Sequence, residues 1–158
     1  MSKGNNLSIK RLWRKSGDKE EQLFFETGVN VLVGEPNTGK TKWLSIRAYL
    51  LGDTSKPGDA ISEALANKYD SAGVDILVGD TELKIERHWK ELGTKSKIFL
   101  AGEVLSTDDF QAFMMGQLDI PRIKFPQGNP FGPKTWPELS FRSLLRHMYR
   151  QQRFWTDL

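Results

Sequence analysis

Val29-Asn30-Val31-Leu32-Val33-Gly34-Glu35-Pro36-Asn37-Thr38-Gly39-Lys40-Thr41 is the stretch on which the reading of the fold turns. Its opening run is apolar apart from Asn30, rich in β-branched residues and closed by Gly34, which predicts a buried strand. From Gly34 onward it matches G-x-x-x-x-G-K-[ST] at every fixed position. The residue types follow from the chemistry of a polyphosphate. Its dense negative charge is met by successive backbone N–H groups, and Gly34 and Gly39 allow backbone angles and a close approach that a Cβ would block. Lys40 brings an ammonium group to the β- and γ-phosphate oxygens, and the Thr41 hydroxyl offers one ligand to Mg2+. Thr41 to Leu51 contains no helix breaker and stops at Gly52, so a helix is predicted whose positive dipole end meets the same anion. A strand before the loop and a helix after it are the context this motif requires. Gly34, Asn37, Thr38, Gly39, Lys40, Thr41 and Lys42 are therefore the expected phosphate contacts, and Mg-ATP is the expected ligand.

Upstream, Leu7 to Trp13 alternates apolar and polar positions and predicts a first strand, with Gly17 to Glu21 a polar turn and Gln22 to Glu26 a second strand. Downstream, Asp53 to Gly58 reads as a loop and Ala60 to Lys68 as one short helix. Val74 to Val78, Glu82 to Arg87 and Lys97 to Leu100, separated by Gly79-Asp80 and Glu91 to Thr94, predict an antiparallel meander. Ser106-Thr107-Asp108-Asp109 has capping-box spacing and opens a helix carrying Phe110, Phe113, Met114 and Leu118, ended by Pro121. Phe125 to Pro137 is a Pro- and Gly-rich loop or flap, and Ser140 to Tyr149 a last helix with Phe141, Leu144, Leu145 and Met148 on one side.

With 158 residues the chain suits one domain able to bury a core. A hydrophobic share of 38% against 27% charged residues excludes a disordered polyelectrolyte. Cysteine is absent, which removes disulfides and thiolate metal sites. Met1 to Lys10 has no apolar leader pattern and Val29 to Val33 is too short to span a bilayer, so a cytoplasmic protein without membrane contact is expected. A net charge of +3 permits nucleic acid as a partner without demanding it.

Several local patterns compete for a role. Asn67-Lys68-Tyr69-Asp70 and Asp70-Ser71-Ala72-Gly73 match the guanine-reading and switch patterns of GTPases, but they overlap at Asp70, stand in the wrong order and lack a preceding buried strand. Val74 to Asp80 has the outline of a magnesium-binding strand. However, Asp75 interrupts it, Thr81 follows where a catalytic glutamate would stand, and the next segment alternates, so a hairpin strand is the better reading. His88 and His147 are isolated, without metal-ligand spacing. Arg142, Arg146, Arg150 and Arg153 recur at helical spacing; they fit either a solvated face or a ridge that contacts DNA phosphates. Trp136, Phe154 and Trp155 are candidates for base stacking or for packing against a neighbour.

The Asn30 to Thr41 segment, followed by Trp43-Leu44 and Ala48-Tyr49-Leu50-Leu51-Gly52, resembles the N-terminal lobe of ABC-type ATPase heads, closest to the SMC, SbcC, RecN and RecF group. The segments ending in Leu83 to Trp89 resemble the antiparallel β-subdomain that such heads insert after the loop helix. Phe141 to Gln152 resembles the approach to their Q-loop. The resemblance makes Gln152, with Gln151 as the alternative, a catalytic residue alongside Lys40. Its amide would touch Mg2+ or the attacking water, so Thr41 and Gln152 are the implied metal ligands. The implied fold is α/β, a P-loop NTPase N-terminal lobe with the antiparallel insertion at about 74–100 and the Q-loop helix over 140–152.

The chain departs from these heads in lacking a glycine-rich signature motif, an apolar strand ending in Asp-Glu and a switch histidine; Leu105-Ser106-Thr107-Asp108 has none of the signature glycines. Half of an ATPase head is therefore expected, incomplete without a C-terminal lobe. It would bind Mg-ATP alone without appreciable hydrolysis, since water positioning and charge stabilisation beyond the γ-phosphate are missing. The implied partners are that C-terminal lobe, a second head across sandwiched ATP, and DNA, in repair, other DNA transactions or antiphage defence. The alternative is an ATP-sensing interaction module that never hydrolyses. A P-loop kinase ranks lower, because Phe125 to Pro137 lacks the arginines of a lid.

Overall fold

The computed structural model describes residues 5–36, 39–128, 131–133 and 135–148, with backbone alone at 146–148. Period-two alternation produces strands β1 (Leu7–Ser16), β2 (Lys19–Phe24), β3 (Ser71–Val78), β4 (Thr81–His88), β5 (Ile98–Leu100) and β6 (Glu103–Leu105). They form one six-stranded sheet in the order β2-β1-β3-β4-β5-β6, with every neighbouring pair antiparallel. Register places apolar side chains in a row across it. Leu23 faces Leu12, Leu12 faces Val74, Val74 faces Ile85, and Ile85 faces Leu100. The last four of these are buried, and they carry the sheet's half of the core. Between Ile9 and Arg11 the β1–β3 register slips by a bulge. The β2 edge presents Lys19, Glu20 and Glu21, charges that discourage pairing with another chain.

Helices α1 (Lys40–Leu50), α2 (Pro57–Ile61), α3 (Glu63–Lys68), α4 (Thr107–Gln117) and α5 (Phe141–Met148) complete the chain. The first buries Trp43, Ile46, Tyr49 and Leu50, a single stripe at helical spacing laid on the sheet. In α4 the Ser106 hydroxyl accepts from the Asp109 amide at 3.1 Å, the cap that the Ser106–Asp109 spacing predicts.

The structure corrects the predicted elements at four places. Val29 to Val33 forms no strand, and its side chains are exposed: Val29 by 95%, Val31 by 77% and Val33 by 84%. The predicted buried strand therefore does not form here. Both sides of β1 are taken by β2 and β3, and the segment joins neither free edge of the sheet, β2 or β6. The single helix predicted over 60–68 is two, α2 and α3, broken at Ser62 with φ 85°. The turn after β1 is only Gly17-Asp18, so Glu20 and Glu21 belong to β2. The meander over 74–100 does not stand apart: β3 pairs along β1, and a short β6 extends the sheet beyond it. The predicted flap carries two isolated antiparallel bridges, Lys124 to Glu138 and Gln127 to Thr135, and holds Phe131 and Trp136 outward.

Candidate phosphate-binding site

Gly39 is the N-cap of α1 and takes the left-handed conformation, φ 85° and ψ 16°, that a glycine reaches at no steric cost. No side chain caps this helix end, and no acidic residue occupies its first turn. The end keeps its positive partial charge, which favours an anion. Lys40 folds back so that its Nζ donates to the Gly34 carbonyl at 2.6 Å and the Glu35 carbonyl at 2.5 Å. The ammonium thus bridges the start of the loop to the start of the helix. Thr41 and Lys42 follow in the first turn of α1, both exposed. Gly34, Gly39, Lys40, Thr41 and Lys42 are thereby gathered around one turn. Asn37 and Thr38 lie outside the described residues, as do Gln151 and Gln152.

One turn into α1, Trp43 meets a cluster that sequence reasoning missed. The Arg14 guanidinium lies 4.1 Å from the centre of the Trp43 ring and 4.5 Å from that of Tyr69. Its Nε and Nη2 donate to Glu21 Oε2 at 2.9 and 2.5 Å, and the Tyr69 hydroxyl donates to Glu21 Oε1 at 2.8 Å. Burial pushes the Glu21 carboxyl up, but the hydrogen bonds from Arg14 and Tyr69 outweigh it and hold the group below the ordinary range. The only signal in the sequence is parity: Arg14 sits two residues from Leu12, on the face of β1 that meets the helices.

The far end of α1 is held by two more arginines. Arg87, from β4, is 1% exposed, stacks at 3.8 Å on Tyr49, and donates to the carbonyls of Tyr49 (2.9 Å) and Asp53 (2.5 Å). These are carbonyls at and beyond the helix C-terminus, which have no partner within the helix. Burial lowers the Arg87 pKa. Arg142, in the first turn of α5, donates to the Gly52 carbonyl at 3.1 Å and pairs with Asp53 at 2.8 Å. Gln111 from α4 accepts from the Arg142 amide at 2.8 Å. Arg142 is therefore directed onto the end of α1. The Arg146 side chain, Arg150 and Arg153 lie outside the described residues. Beside this junction, Leu7, Ile9, Phe25, Ala48, Leu51 and Leu145 contribute the apolar part of the lining of an open cavity of about 510 Å³, with Asn30, Arg47, Asp53 and Arg142 among its polar residues.

The competing patterns resolve into structural roles. Asn67 and Lys68 lie on α3, while Asp70 accepts from the Gly17 amide at 2.6 Å and pairs with Lys90. Asp80 stands in the β3–β4 turn, as a hairpin requires. His88 packs edge-on to Phe99 with ring centres 4.8 Å apart. Among the described residues no cluster of three or more His, Cys, Asp or Glu is arranged to hold a metal, and no helix is long and apolar enough to cross a membrane. A hydroxyl such as that of Thr41 fits an Mg2+ whose remaining ligands are phosphate oxygens and water, a binding mode that needs no carboxylate cage. Comparison of the chain with protein-family models gives no match, and comparison with curated proteins gives none either.

Proposed function

We propose that this chain is the Mg-ATP-binding N-terminal lobe of an SMC/SbcC-like ATPase head. The observation that carries the reading is the union of the motif with the turn that holds it. Gly39 in the left-handed conformation opens an uncapped helix free of acidic residues in its first turn, and Lys40 reaches across the loop. Triphosphate oxygens would take the α1 amides and exchange for the Gly34 and Glu35 carbonyls at the Lys40 ammonium, with Thr41 on the magnesium. Val29 to Val33 supports the second half of the reading. An exposed, unpaired apolar run is costly on a finished domain; strands of a C-terminal lobe laid beside it would satisfy its backbone and bury side chains worth roughly 1.5–3 kcal/mol each.

Titration of a fluorescent ATP analogue with Mg2+, run in parallel with a steady-state phosphate-release assay, tests this. The expected result is saturable binding that weakens at least about tenfold in Lys40→Ala, with negligible turnover by the chain alone. Equal affinity of wild type and Lys40→Ala would overturn the ligand. Turnovers per second abolished by Lys40→Ala would overturn the claim that a second lobe is needed.

A further inference from the structure

We infer that Arg14 is a positioning residue for the phosphate-binding turn: clamped between Trp43 and Tyr69 and forked onto Glu21, it fixes the first turn of α1, and Lys40 with it, against the sheet. This rests on the reading of that turn as a nucleotide site. The loop residues 31–36 are exposed and join no β-ladder, and Lys40 donates to the Gly34 and Glu35 carbonyls of the loop itself. The first deep attachment after the loop is Trp43, one helical turn beyond Lys40, so the placement of the ammonium and the α1 amides depends on where that ring sits.

The ring belongs to the hydrophobic core cluster and in addition carries a charge over its face. Arg14 and Trp43 are each only 8% exposed, and Arg14 sits in register opposite Ala72, whose small side chain leaves room for the guanidinium. A planar guanidinium stacks on two faces while donating in its own plane to a carboxylate. Lysine keeps the charge but can do only one of these things. The clamp draws on β1, β2, α1 and the residue that follows α3, so it holds the turn to four separate parts of the chain. A lesser role, filling core space, would be met by any side chain of similar length.

The test compares wild type, Arg14→Lys and a control, Leu105→Ala at a partly buried position that packs against the core from β6, by Mg-ATP titration and by hydrogen exchange of the unliganded protein. With the stack lost, Arg14→Lys is expected to weaken Mg-ATP at least about fivefold and to speed exchange in the first turn of α1, but not in its C-terminal half. Leu105→Ala is expected to lower the unfolding midpoint without either change. Wild-type affinity and wild-type exchange in Arg14→Lys would overturn the inference, as would equal effects in the control. If wild type bound no Mg-ATP while Arg14→Lys still loosened that turn, the ligand assignment would fall and the anchoring role would stand.

Discussion

A single missing side chain shapes the outer face of the sheet. A Cβ at Gly73 would come within 2.2 Å of the Trp13 ring, which lies across β3 in register with that residue. Glycine is needed here for space and not for its backbone freedom, and the tryptophan is buried, so the ring has little room to yield. Gly73→Ala is expected to lower stability by about 1–3 kcal/mol through overpacking, read as a shift of the urea midpoint; an unchanged midpoint would mean that the ring moves aside freely. The sequence carries no trace of this pair, because sixty residues separate the partners and only the β1–β3 register makes them neighbours. Lys40 is the opposite case: its partners Gly34 and Glu35 are local, and the motif spacing makes their proximity legible in advance.

Among the elements, those whose burial is decided by their own periodicity formed as predicted. The helix after Gly39, the Ser106 cap and the β3–β4 hairpin all rest on contacts within a few residues or on one-sided patterning. Val29 to Val33 did not, because apolar content states that a segment needs a partner without supplying one. If the segment is as exposed as it stands, the double variant Val31→Ser, Val33→Ser should change the stability of the isolated chain by less than about 0.5 kcal/mol. It should also reduce self-association at high concentration in sedimentation experiments, since it removes an unpaired β-prone run. A loss of several kcal/mol would show that the run is buried in solution.

For the molecule as a whole, the junction of α1 with α5 is electrostatic and therefore sensitive to pH. Burial raises the Asp53 carboxyl, but the Arg142 pair and the Ser55 hydrogen bonds outweigh it and leave the group below the ordinary aspartate range. A carboxyl depressed in the folded state contributes stability that is fully present above its unfolded pKa and is lost as the pH falls through its folded value. Glu21 and Asp70 are depressed in the same direction, so the Asp53 share must be isolated by difference. Between about pH 4 and pH 2, wild type should lose stability more steeply than Asp53→Asn, as followed by chemical unfolding at each pH; parallel slopes would remove Asp53 from the account. By itself the sequence determined the mixed α/β class, the antiparallel meander, the helix that follows Gly39 and the residues of the G-x-x-x-x-G-K-[ST] motif, because each is written in local spacing and periodicity. Only the tertiary structure decided that β1 and β2 join that meander in one sheet, that Arg14, Arg87 and Arg142 hold the two ends of α1, and that Val29 to Val33 stands uncovered. Those outcomes depend on which distant strands and side chains become neighbours, and no local pattern encodes that choice.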